Sequence, residues 1–165
     1  MNARLEKIAA WWALTGGAIL LSIALVTVIN AGAFLADRIA RLAGGTVSGL
    51  PGYEDYVRLA VSAAALMLIP YCQAHRGHIA VDLVFKRLPN SLQGVLRAAW
   101  DGLTAACALF LAYWMAIGMA ETRADHALSR VLGWPEWPFY APGLASLLLW
   151  AMIAAAQALE RGRDG

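Results

Sequence analysis

Four long apolar stretches, parted by polar or glycine- and proline-rich segments, set the plan of the chain. The first runs from Trp11 to about Leu35 and is apolar on every side of a helical wheel, as lipid exposure demands. The second covers about Tyr53 to Gln73, the third about Leu92 to Ala120, and the fourth Phe139 to Leu159. At ~1.5 Å per residue each suffices to cross a hydrocarbon layer of ~30 Å. Trp11 and Trp12 suit an interfacial aromatic belt. Asp37, Arg38 and Arg41 close the first span, and Leu42 to Gly52, with four glycines and a proline, reads as a loop. Glu54 and Asp55 occupy the first turn of the second span, where the helix dipole favours negative charge, and Pro70 should bend that helix near its end. Asn90 with Gln93 resembles a capping box at the head of the third helix. That helix is long enough for its first two turns, with Arg97 and Asp101, to stand among the headgroups. Glu121 to Trp137 forms the second loop, and Pro142 is tolerated in the first turn of the fourth span.

Between the second and third spans lies a polar island, Tyr71 to Asp82, which holds two of the three histidines. Beyond it Val81, Val84, Phe85 and Leu88 share one helical face, while Asp82, Lys86 and Arg87 lie off it and Pro89 ends the segment. Residues 81–88 therefore read as a two-turn helix lying flat on the membrane. The fold class expected is an all-α integral membrane protein, one domain over residues 1–165. It has four transmembrane helices and a short amphipathic interfacial helix between spans two and three.

Composition supports this reading: 61% of residues are hydrophobic and 15% charged, against about 25% charged in soluble domains. The net charge of +2 is dispersed, without the basic stripe that nucleic acid requires. The apolar run after the basic N-terminus is too long for a signal-peptide core, so it is read as a retained span. Four spans put both termini on one side. Eight of the thirteen Lys and Arg residues fall there, so the positive-inside rule places the termini and the island in the cytoplasm. Cys72 and Cys107 form no C-x-x-C pair and read as small apolar fillers.

Reaction chemistry is hard to find. His75 and His78 have the spacing of a metal-ligand pair with Asp82 nearby, but His126 falls on the other side of the membrane, so no metal is expected. No span carries a histidine in its apolar centre to ligate haem, and no Ser/His/Asp set shares one depth, so neither cofactor nor enzymatic activity is expected. Ion pathways usually show ionisable groups inside the membrane, and here every charged residue can be placed at an interface or in a loop. What remains is surface for helix packing. Ala98, Gly102 and Ala106 form a small-residue stripe on span three, and Ala151 with Ala155 and Ala154 with Ala158 form others on span four. Packing faces without a reaction centre suggest a subunit of something larger.

Several motifs occur in a recognisable order: Gly49-Leu50-Pro51-Gly52-Tyr53-Glu54 before span two, Pro70-Tyr71-Cys72-Gln73 at its close, Arg76-Gly77-His78-Ile79-Ala80-Val81-Asp82, then Leu88-Pro89, and Trp134-Pro135-Glu136-Trp137-Pro138 before span four. From Trp11 to Leu159 the chain resembles the small membrane subunit, DctQ type, of a tripartite ATP-independent periplasmic (TRAP) transporter. The resemblance implies a non-catalytic scaffold subunit in a bacterial inner membrane. Its partners would be membrane lipids, a large membrane subunit that carries solute and sodium, and a periplasmic binding protein that delivers an organic acid or similar solute. Glu54, Arg76, Gly77, His78 and Asp82 occupy the matched positions; His75 is extra and receives no family role. The other readings are a membrane anchor for a redox complex, decided by haem absorbance, and a small autonomous transporter, which normally needs an acid embedded in the membrane.

Overall fold

The computed structural model describes residues 3–76 and 89–163. Its helices are α1 (Ala3–Leu42), α2 (Tyr53–Ala74), α3 (Asn90–Ala124) and α4 (Tyr140–Arg163), the last entered through a one-turn 3-10 helix, Trp137–Phe139. All four long helices are long and apolar enough to cross a membrane. Among the described residues there is no strand, only an isolated bridge between Leu128 and Pro135. The interfacial helix expected at 81–88 lies outside the described residues, as do Gly77, His78 and Asp82.

Helix α1 has 40 residues and continues through Asp37, Arg38 and Arg41, where the sequence suggests a stop. Charge at a helix end does not break a helix. The Asp37 and Arg41 side chains pair at 2.7 Å with i,i+4 spacing, and the chain turns away only at Gly44, whose φ is 76°. Helix α3 likewise runs four residues past Ala120. Its N-cap is Pro89, with no side-chain cap, so Asn90 is not the N-cap that the sequence suggests. Asn90 is the first helical residue rather than the one before it. The Pro89 carbonyl instead accepts the Gln93 N–H at 3.0 Å.

Helices α2 and α4 make the middle of the bundle; α1 packs on α2 and α3 packs on α4. The α1–α2 contact is close because Gly16 has no side chain. A Cβ there would come 2.7 Å from Met67 Cβ and 2.9 Å from the Ala64 carbonyl oxygen. Ala9, Ala74, Leu149 and Ile153 form a core shared by α1, α2 and α4, with Leu5 and Trp12 against it. Trp12 Nε1 also donates to Ser146 Oγ at 2.8 Å, which ties α1 to α4.

The α3–α4 pair is antiparallel, with Gly143 against Met115 and Gly118 against Tyr140. Carried along both helices, this register sets Ala112 level with Ser146, Ala105 with Ile153, and Asp101 with Gln157. Asp101, Ala105, Ala108 and Ala112 are the buried line of α3. The stripe read from sequence is offset from it: Ala98 and Gly102 are half-buried and Ala106 is exposed. Both faces are rich in small residues, and Asp101 decides between them. A carboxyl group is costly against lipid, so a rotation that covers Asp101 at its end of the bundle is favoured. On α4, Ala151 and Ala154 are buried.

Candidate functional site

Polar side chains gather at both ends of the bundle. At the end that holds the termini, α2 finishes in the described half of the island. The His75 N–H donates to the Tyr71 carbonyl at 3.1 Å and its ring stacks on Tyr71 with centroids 4.2 Å apart. His75 Nδ1 lies 3.1 Å from the same carbonyl, and Nε2 lies 3.4 Å from Glu6 Oε1, so this histidine joins the end of α2 to the start of α1. Arg76 follows with φ 51°, in the left-handed region, its N–H donating to the Gln73 carbonyl at 3.0 Å. That conformation closes a helix and is usually filled by glycine.

One turn inward the island is not solvated loop at all. Gln73 is buried, and its Nε2 donates to Gln157 Oε1 at 2.8 Å. Gln157 Nε2 donates in turn to the Gln73 carbonyl at 3.0 Å, and Trp150 Nε1 donates to Gln73 Oε1 at 3.2 Å. Asp101 lies buried at the level of Gln157. A polar layer thus joins α2 to α4. In a low-dielectric interior each unpaired amide would be expensive, so this layer fixes the rotation and height of α2 against α4.

The opposite end carries both described loops. Ser22 and Tyr56 share a hydrogen bond of 2.5 Å, and Asn30 Oδ1 accepts the Leu50 N–H at 2.9 Å. Asp37 Oδ1 accepts the Val47 N–H at 2.9 Å, so the first loop folds back along the last turns of α1. Gly52, with φ 79°, starts α2, and a Cβ there would come 2.5 Å from Leu132 of the second loop. Asp55 is buried, and its Oδ2 accepts the N–H groups of Val131 and Leu132 at 2.7 and 3.0 Å. Arg58 pairs with Glu136 across the same interface. One carboxylate on α2 therefore organises the second loop.

Of the residues singled out by sequence, Arg76 stands at the end of α2 and Glu54 is exposed at its start, on a different face from the buried Asp55. The structure does not bring these two together; they sit at opposite ends of α2. His75 and His126 are also at opposite ends, and among the described residues no three His, Cys, Asp or Glu side chains converge as a metal set. Sequence reasoning passed over Gln73, Gln157 and Trp150 as a unit, and Asn30. The available signal was a carboxamide inside or at the edge of an apolar span, where a polar side chain usually has a partner on another helix.

The family model described as Tripartite ATP-independent periplasmic transporters, DctQ component, matches residues 31–164. Comparison with curated proteins and with solved structures gives no match.

Proposed function

Since the chain belongs to the DctQ component family of the tripartite ATP-independent periplasmic transporters, we propose that it is the small, non-catalytic permease subunit of such a transporter. It serves as a static scaffold for a large membrane subunit that drives uptake of an organic acid or similar solute with sodium. The solute is delivered by a periplasmic binding protein. The subunit resides in a bacterial inner membrane with both termini in the cytoplasm.

One observation carries the scaffold reading. The apolar middle of each helix holds no Asp, Glu, Lys or Arg, and Gln73, Gln157, Asp55 and Asn30, buried towards the bundle ends, are engaged with other parts of this chain. A solute pathway would leave such groups facing a channel. Meanwhile α1 and α3 present long apolar surfaces, Leu14, Leu21, Leu25 and Val28 on one and Leu103, Phe110 and Trp114 on the other. Such surfaces suit lipid and a second membrane protein. The small-residue line Ala98, Gly102, Ala106 on α3 is part of this outward-facing side in the proposal.

Within this reading Arg76, Gly77, His78 and Asp82 set the link between α2 and the segment that follows, and so the shape offered to the large subunit; Glu54 marks the other end of α2. The test is co-purification of the large subunit together with sodium-driven uptake in proteoliposomes. His78→Ala or Asp82→Ala should lower both while the altered subunit still inserts. Full recovery of partner and uptake in the double substitution would overturn this role.

A further inference from the structure

The second loop, with the end of α3, borders a half-open hollow of about 330 Å³ lined by Arg123, His126, Ala127, Leu128, Pro135 and Trp137. It is a held shape rather than a gap between loose segments. Leu128 and Pro135 form a backbone bridge, and the Glu136 N–H donates to the Ala127 carbonyl at 3.1 Å. The Arg123 guanidinium carbon sits 5.1 Å from the centre of the Trp137 ring. A guanidinium beside an indole gains from cation–π attraction, and its N–H donors are arranged as a planar fork.

The charge balance of the hollow is one-sided. Among the described residues Arg123 makes no ion pair. Glu136, between Pro135 and Trp137 in the loop, is engaged with Arg58 on α2. Glu121 and Asp125 are two residues from Arg123, a spacing that does not bring side chains together on a helix. His126 offers an N–H from its ring in either tautomer. The remaining walls, Leu128, Pro135 and Trp137, are apolar.

A permanent cation, a second N–H donor and apolar side chains beside them are what recognise an oxyanion attached to an apolar body. We infer that this hollow binds an oxyanion group, with Arg123 as its fork and His126 as the second donor. The group comes either from a soluble carboxylate or from the phosphate of an anionic lipid at this face of the membrane. The inference rests on the hollow itself and stands apart from the transport role.

The full chain in phosphatidylcholine nanodiscs is titrated with para-fluorobenzoate, followed by fluorine NMR line broadening, with para-fluorobenzyl alcohol as the neutral twin. A parallel arm uses discs containing phosphatidylglycerol and measures lipid retained by native mass spectrometry. Arg123→Gln should weaken the anion at least about tenfold, as loss of a charge-assisted hydrogen bond implies. Arg130→Gln, in the same loop, should leave binding unchanged. If phosphatidylglycerol displaces the benzoate and Arg123→Gln lowers its retention, the source is a lipid headgroup. If benzoate binds equally well in both discs, the source is a soluble anion. An equal response to the alcohol, an unchanged response in Arg123→Gln, or no anion-dependent signal in either arm overturns the inference.

Discussion

Gln73 and Gln157, 84 residues apart in sequence, meet inside the bundle through two hydrogen bonds, side chain to side chain at 2.8 Å and side chain to backbone at 3.0 Å. Neither amide has water to fall back on at that depth, so the pair specifies one docking of α2 on α4. Replacing Gln157 by Leu leaves the Gln73 amide short of a partner. We expect a loss of about 1–2 kcal/mol in the stability of the folded bundle. The double change Gln73→Leu with Gln157→Leu should cost less than the sum of the singles. A double-mutant cycle by reversible unfolding in mixed micelles checks this, and strict additivity would refute the pairing.

Gly16 and Gly17 are neighbours with opposite tolerances. Gly16→Ala drives a methyl into Met67 and Ala64 and should destabilise the α1–α2 contact by about 1–3 kcal/mol. A Cβ at Gly17 meets nothing within 4 Å, so Gly17→Ala should be neutral or gain a few tenths of a kcal/mol through helix propensity. Thermal unfolding of the two variants in one detergent compares them directly.

Asp55→Ala frees the N–H groups of Val131 and Leu132 that its carboxylate now accepts. The second loop should open, with a cost of about 2–3 kcal/mol for two charge-assisted bonds. Trypsin cleavage after Arg130 reports it: rapid in Asp55→Ala, slow in wild type and in Glu54→Ala. Equal rates in all three would show that the loop holds itself.

Arg76 and His126 adopt φ values of 51° and 48°, each just beyond a helix end. Glycine carries no Cβ penalty there. Arg76→Gly and His126→Gly should each raise stability by about 1 kcal/mol. For Arg76 this separates backbone from side chain: a more stable subunit that recovers less of the large subunit would show the guanidinium acting in assembly.

Reporter fusions after Gly45 and after Asp125 should both read as periplasmic. The two loops lie at one end of the bundle, joined through Gly52, Asp55 and Leu132. A cytoplasmic signal at either position would contradict the orientation proposed from the basic residues.

The four membrane helices were legible because a lipid-exposed helix must be apolar all round, and that pattern is carried by each residue on its own. Helix ends were less so. Arg38 and Arg41 look like a stop, yet the helix runs on because the Asp37–Arg41 pair satisfies itself locally. Adjacent acids were harder still. Glu54 and Asp55 are equivalent in a sequence pattern, and only the rotation of α2 decides that Asp55 faces the second loop. Gln73 with Gln157 was out of reach, since a single sequence says nothing about partners on different helices. The offset of the α3 packing face has the same origin. Alanine and glycine fit either side, and the choice follows from where Asp101 can be covered.

Helix α1 has 40 residues, about 60 Å of helix, against 22 residues and about 33 Å for its partner α2. Even at a steep tilt of about 40°, α1 would reach ~46 Å along the membrane normal, well beyond a ~30 Å hydrocarbon layer. It therefore stands proud of the bilayer across that range of tilt, and the backfolded first loop stiffens the projecting end through Asn30 and Asp37. Hydrophobic mismatch is absorbed here by a mast. A thicker or thinner bilayer changes how much of α1 emerges and leaves the polar layers that register α2 against α4 undisturbed.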